Sequence, residues 1–387
     1  MFDSRRWLTQ SAHHLIMLSQ KIRSSTSALV LSLASIVVIG IAGAQEGLAQ
    51  QKFRVGVLVP LSGALSEYGV AAKNGFEIAR QESPELFKNV DFVFDDTQYD
   101  SKKAISGLQK LRFKDGISAA YVWGYGPNQA VSPIIEKQQF PLFAVSSEQA
   151  ISASKKYTTR FCYHMGSMAE VLIEYLRAKN AKNVGIVKGE LAFFNGLIEE
   201  LEKRLRADES ISIVESLQSD ESNFKTTVAK LRGRKFDALG VFLVSGQISQ
   251  FYREMRQFSL RVDTIGTDLF DSMNEVKQSQ GAMVGAVFAA PWIDTSFIET
   301  YRKRYGNDVQ AAWAANAYEF AKLTGRLFGN EHQKLPADEI IKRYTSNRDE
   351  QGSSSRFKYE ESADGSGFNF KAVARRVEAD RIVNVTQ

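Results

Sequence analysis

From Lys52 onward, short apolar runs alternate with longer amphipathic stretches, and this alternation confines the chain to an α/β architecture. Residues 53–59 (FRVGVLV) form an unbroken apolar run apart from Arg54, the pattern of a strand buried on both faces. Residues 68–80 predict a helix and 90–94 a strand. Residues 102–113 predict a helix with Ala104, Ile105, Leu108 and Leu111 on one face. A strand over 118–122, a helix over 129–137 and a strand over 141–145 continue the series. Parallel neighbours need crossover connections, so this order implies a parallel sheet covered by helices through right-handed crossovers.

The pattern then restarts. Helices are expected over 169–178 and 196–207 with a strand over 183–187 between them; Leu197, Leu201 and Leu205 face the core. The charge run 199–206 pairs Glu199 with Lys203, Glu200 with Arg204 and Glu202 with Arg206 at i,i+4, the signature of a solvated helix face. Strands over 211–217, 238–244, 262–265 and 282–289 alternate with helices over 224–231, 248–258 and 271–277. Three more helices (297–305, 311–327, 336–344), a polar stretch at 346–356 and β-like segments at 368–375 and 381–385 close the chain. Two α/β units of similar length, followed by helices and then strands, predict two Rossmann-like lobes with parallel-sheet cores that exchange segments. A length of 387 residues fits two cores better than one.

Residues 28–42 (ALVLSLASIVVIGIA) follow Lys21 and Arg23 and precede Ala42-Gly43-Ala44. A basic region, a short apolar run and an A-x-A site read as a secretory signal peptide over 1–49, cleaved after Ala44 or after Ala49. The run is shorter than the roughly 20 residues that span a bilayer, and no Cys follows it to carry a lipid.

The remaining composition excludes more than it suggests. The formal charge of +5 comes from basic residues interspersed with acids, which offers no stripe for a phosphate backbone, so no nucleic-acid partner is expected. The single cysteine, Cys162, rules out an intrachain disulfide and reads as a buried thiol. Beyond the leader only His164 and His332 occur, far apart, and His164 reads as a hydrogen-bonded structural residue. Asp95-Asp96, at a strand end, reads as a capped turn before it reads as a metal site. The first strand runs into Pro60-Leu61-Ser62-Gly63-Ala64-Leu65, not a dinucleotide fingerprint; phosphate-loop, zinc and nucleophile-elbow motifs are missing too. The expectation is a non-enzymatic protein without cofactor or metal.

Several segments together resemble the periplasmic leucine/isoleucine/valine-binding family, the type I solute-binding proteins of ABC transporters. They are VLVPLSGALSEYGVAAKNG (57–75), FDDTQYDSKKAISGL (94–108), EKQQFPLFAVSS (136–147) and TIGTD (264–268), in order and spread through the chain behind the leader. The resemblance implies lobes joined by a three-segment hinge. One lobe holds residues 50–160 with 290–350 and the other 161–289 with 351–387, with crossings near Phe161, Ala290 and Phe357. It implies an extracytoplasmic protein that captures a small ligand (amino acid, amide or aromatic compound) by lobe closure. The partners would be the permease subunits of an importer in the inner membrane; the alternative is a receptor module for signalling or chemotaxis. Transferred position by position, the candidate ligand residues are Tyr68 (stacking), Tyr125, Gly126 and Asn128 (carboxylate donors), Ser146, Ser147 and Glu148 (second clamp), Phe193 (second-lobe aromatic) and Asp268 (ammonium partner). Two departures weaken the carboxylate clamp: Tyr125-Gly126-Pro127 replaces a Ser run, and Glu148 replaces Thr. Tyr68, Tyr125, Phe193, Phe194 and Trp292 are candidates for an aromatic lining.

Overall fold

Every residue of β1 (Phe53–Val59) except Arg54 is buried, as befits a strand covered by helices on both sides. The computed structural model describes residues 52–385 apart from 64, 219, 348 and 363–364, so the leader expected over 1–49 lies outside the described residues. In chain order β1 is followed by α1 (Ser66–Glu82), β2 (Val90–Asp96), α2 (Ser101–Phe113), β3 (Ala119–Trp123), α3 (Tyr125–Lys137), β4 (Leu142–Val145) and β5 (Thr158–Phe161). The second series is α4 (Met165–Ala178), β6 (Asn183–Gly189), α5 (Ala192–Glu202), β7 (Ser210–Leu217), α6 (Lys225–Arg232), β8 (Ala238–Phe242), α7 (Gln247–Gln257), β9 (Asp263–Gly266), α8 (Met273–Gln278) and β10 (Val287–Pro291). Then come α9 (Thr295–Tyr305), α10 (Ala311–Phe328), α11 (Ala337–Thr345), β11 (Asp349–Gln351), β12 (Arg356–Glu360), β13 (Gly367–Phe370), β14 (Ala372–Val377) and β15 (Ile382–Asn384).

Among the described residues these strands make two sheets. The first has the order β11-β12-β13-β5-β4-β3-β1-β2 and the second β15-β14-β10-β9-β8-β6-β7. Pairing is parallel through the middle of each sheet. The C-terminal strands add antiparallel edges: β12 on β13 in the first, and β14 on β10 followed by β15 in the second. The chain thus leaves the first sheet after Phe161, leaves the second after Pro291 and leaves the first again after Phe370.

The last of these crossings corrects the expected boundary. The resemblance implies that residues 351–370 belong to the second lobe with a crossing near Phe357, yet β12 and β13 extend the first sheet, with Phe368 in register beside Phe161. The crossing falls at Lys371 instead. The segment 346–356 reads as polar because the strand signal starts only at its end, where Phe357 and Tyr359 point inward between Arg356, Lys358 and Glu360. Residues 282–286 are likewise not strand: Gly281 and Gly285 take φ of 83° and 94° and turn the chain before β10.

Each strand distributes its side chains by the period of two. In β3, Ala119, Tyr121 and Trp123 join a core that contains α1 and α10, while Ala120 and Val122 face α2 and α3. The α1–α10 contact is close because Gly75 lies on the backbone of Ala314, where any Cβ would run into the carbonyl oxygen. Two polar residues of α10 fix its position. Asn316 accepts from the Tyr121 hydroxyl (2.8 Å) and donates to Phe161 O (3.0 Å). Glu319, buried, accepts from Ser354 N and Ser354 Oγ, both at 2.6 Å.

Candidate functional site

In the first sheet β1 lies between β2 and β3, and in the second β6 lies between β7 and β8. The chain therefore winds in opposite senses on the two sides of β1 and of β6. Crevices open there at the carboxyl ends of the strands, where open α/β sheets place ligands.

The loop after β1 is shaped by Asp96 at the end of β2. Its Oδ1 accepts from Leu61 N (2.8 Å) and Ser62 N (3.3 Å), and Oδ2 accepts from the Ser62 hydroxyl (2.6 Å). Burial pushes this carboxyl up, but the Ser62 hydroxyl and the N–H groups of Gln98, Leu61 and Ser62 outweigh it and hold it below the ordinary range. Asp95 pairs with Lys110 at 2.7 Å. Asp96 thus holds the turn and Asp95 ties β2 to α2; among the described residues no three His, Cys, Asp or Glu side chains group as metal ligands.

The loop delivers Tyr68, on the first turn of α1, into the crevice at 1% exposure. Its ring lies 5.0 Å from Trp123 and 6.3 Å from Trp313; Trp123 also meets Trp313 at 5.4 Å and Tyr99 at 5.7 Å. Tyr163, at the first crossing, meets Trp313 at 6.1 Å. The second lobe contributes Ser245, beyond β8, and Asp268, beyond β9. Two buried polar atoms in this cluster complete no hydrogen bond, Trp123 Nε1 and Asp268 Oδ1, while the Tyr68 hydroxyl faces Ser245 Oγ across the lobes. Native proteins leave few buried polar atoms unpaired, and each such atom calls for an explanation.

Asp268 is the chemical centre. Burial pushes its carboxyl up to about 6; the Tyr163 hydroxyl favours the ionised form, and neighbouring Asp271 opposes it. Asp271 itself is paired with Arg375 at 2.6 Å, both side chains buried. Glu67, beside Tyr68, is raised by burial despite the amide of Gln310, which donates to it at 3.2 Å and to Asp271 O at 3.3 Å. Gln310 thus joins the lobes directly.

The structure brings Tyr68 and Asp268 together and places the other expected residues differently. Ser146 accepts from Glu148 N (3.3 Å), and Ser147 O accepts from Met165 N (3.1 Å), so these residues shape the turn after β4. Glu148 reaches α5, with Oε2 3.2 Å from the position a Cβ on Gly196 would take. Burial raises its carboxyl, and Glu199 and Glu200 add to the effect. Phe193, half-buried, packs on Phe194 at 5.6 Å. Asn128 is fully buried and donates both amide hydrogens to Val122 O (2.8 Å) and Gly124 O (2.9 Å). The Tyr125 hydroxyl accepts from Gln129 along its own helix at 3.1 Å.

The N–H groups of Tyr125 and Gly126, expected as carboxylate donors, face the hydroxyl of Tyr99. Gly124, at φ 95°, makes room for the Tyr99 ring; a Cβ there would overlap it. Two aromatic candidates lie elsewhere. Phe194 is a core residue facing Phe242, and Trp292 lies under the guanidinium of Arg356 at 4.7 Å, near the crossovers. His164 caps α4, its Nδ1 accepting from Ser167 N at 3.2 Å, and burial with nearby Arg160 lowers it to about 4. An open cavity of about 690 Å³ is lined by Tyr252, Arg256 and Val262, and one of about 450 Å³ by His164, Arg356 and Lys371. Neither reaches the strand-tip cluster, whose side chains pack against one another.

The sequence reading missed Trp123, Tyr163, Trp313 and Gln310. Trp123 carried a usable signal, an aromatic at the last position of a buried strand run. Trp313, a large ring amid alanines on a buried helix, looks like core.

Two mainly parallel-sheet lobes exchanging segments, with unpaired polar atoms gathered at strand tips, define the type I periplasmic binding protein fold. The chain belongs to the periplasmic binding protein family, whose pattern matches residues 52–338. Among solved structures it is similar to a leucine-binding protein from Thermotoga maritima (TM-score 0.76, 19% identity, covering 86% of this chain and 98% of that one). It is also similar to a branched-chain amino acid transporter substrate-binding protein from Streptococcus pneumoniae in complex with isoleucine (TM-score 0.74, 19% identity, 86% and 100% covered). A third is an ABC transporter solute-binding protein from R. palustris in complex with benzoate (TM-score 0.72, 16% identity, 86% and 95% covered). At these identities the likeness is one of fold. No curated protein matches the sequence. No helix among the described residues is long and apolar enough to cross a membrane.

Proposed function

We propose that this protein is a non-enzymatic, extracytoplasmic solute receptor that closes its lobes on a small molecule and delivers it to the permease subunits of an ABC importer. Amino acids, amides and aromatic compounds are the solutes to test first. The leader over 1–49 would direct export to the periplasm and be removed there. The carrying observation is a pair of unpaired buried atoms contributed by the two lobes, Trp123 Nε1 from one and Asp268 Oδ1 from the other, beside the Tyr68 and Ser245 hydroxyls that face each other between them. A solute that satisfies both binds the closed form better than the open one, and that difference is what drives closure. The family and the relatives in complex with isoleucine or benzoate support the reading.

The test is a thermal-shift screen followed by small-angle scattering. A true solute raises Tm in proportion to RT ln(1 + [L]/Kd) and reduces the radius of gyration. Scattering curves that stay superimposable with every solute that raises Tm would refute closure.

A further inference from the structure

We propose that the solute is a small organic cation, an amine on an apolar or aromatic body without a carboxylate, seated with its ammonium on Asp268. The inference rests on the solute-binding reading above and narrows it.

The charge balance of the crevice comes first. Three carboxylates, Asp268, Glu67 and Asp271, act on the Tyr68 hydroxyl. Among the described residues the only basic side chain paired with any of them is Arg375, taken by Asp271 at 2.6 Å. Glu67 has the neutral amide of Gln310. Asp268 has the Tyr163 hydroxyl and backbone N–H groups of its own turn, and its Oδ1 has nothing. A buried carboxylate without a cation is costly, and a ligand ammonium offsets that cost where a neutral ligand does not. Tyr68 and Tyr163 act on Asp268, and the rings of Trp123 and Trp313 pack against these two; aromatic faces favour a cation further.

The second observation concerns where a carboxylate would go. Helix N-termini at strand tips are the usual anion sites, and the two at the crevices after β3 and β8 are occupied by the protein itself. At α3 the Tyr99 ring lies over Gly124, where a Cβ would overlap it, with its hydroxyl toward the N–H groups of Tyr125 and Gly126. At α7 the carboxylate of Glu275 accepts from Gly246 N and from Ser249 N (2.7 Å). Glu275 also acts across the lobes to raise Glu67. A ligand carboxylate at either helix would displace a protein group, and at α7 it would meet a like charge.

Calorimetric titration of the purified protein with matched pairs tests this: phenethylamine against phenylalanine, isoamylamine against leucine, benzylamine against benzoate. At least one amine is expected to bind about tenfold or more tightly than its carboxylated partner, the value of one charge-assisted hydrogen bond. Asp268→Asn should weaken that amine by about tenfold or more while circular dichroism stays native. Tyr99→Phe frees the α3 N-terminus and should raise affinity for phenylalanine or benzoate, a gain that misfolding cannot mimic; no gain overturns the argument that Tyr99 blocks the clamp. Binding of leucine, phenylalanine or benzoate in preference to every amine overturns the cation assignment and leaves the solute-binding reading standing. If no solute of any class changes Tm or scattering, both fail.

Discussion

Replacing Asp268 by Asn should make the ligand-free protein more stable at neutral pH. Burial raises this carboxyl from its ordinary 3.8 to about 6, so holding it ionised at pH 7 costs roughly two tenfold factors, about 3 kcal/mol at about 1.4 kcal/mol each. The sign follows from linkage. A carboxyl raised on folding contributes stability that is fully present below pH 3.8 and is lost as pH rises through about 6. Asn has nearly the same shape and does not titrate. The variant should therefore match wild type near pH 3.5 and exceed it by up to about 3 kcal/mol at pH 7, the gap opening between pH 4 and 6. Urea unfolding followed by fluorescence at several pH values measures it directly. Equal stability at pH 7, or a gap independent of pH, would mean that water reaches Asp268 in the free protein because the lobes stand open.

Two further substitutions test the scaffold around the site. Gly75→Ala forces a Cβ against Ala314 O and should destabilise by about 2–3 kcal/mol, despite the roughly 1 kcal/mol of helix propensity Ala gains. A thermal melt with Tm unchanged or raised would show that α1 and α10 are not in such close contact. Asp96→Asn weakens the bonds that hold Leu61 and Ser62. Because the carboxyl is depressed, its contribution is present above the ordinary 3.8 and disappears as pH falls below that, so wild type should exceed the variant at pH 7 and converge with it in acid.

Most of the fold was legible because helix-length and strand-length periods alternate cleanly from Phe53 to Tyr344. The exceptions have physical causes. Phe161 and Tyr163 beside Cys162 suggest a buried strand, yet β5 (TTRF) ends at Phe161 and its buried positions include two threonines and Arg160, so no apolar run marks its extent. The guanidinium is accommodated because Nη1 donates to Cys162 O at 2.6 Å and Nη2 to Asn369 Oδ1, partners far apart in sequence. The starts of α3 and α4 lie several residues earlier than expected: Gly124 and His164 precede these helices, and neither carries the Ser, Thr, Asp or Asn side chain that announces a helix start. At the site, Tyr68 and Asp268 stood out because aromatic and acidic residues follow strands at motif positions. Tyr99 did not, because its role depends on the left-handed turn at Gln98 and Tyr99, with φ of 50° and 61°, that carries its ring over Gly124.

Only Lys371 separates β13 from β14, which complete different sheets. Until residues 367–377 emerge during synthesis, β5 and β10 each present an open edge with no neighbour to pair with. Neither half of the molecule can finish folding ahead of the other. Both sheets therefore keep an unpaired edge exposed to aggregation until this one short segment is in place.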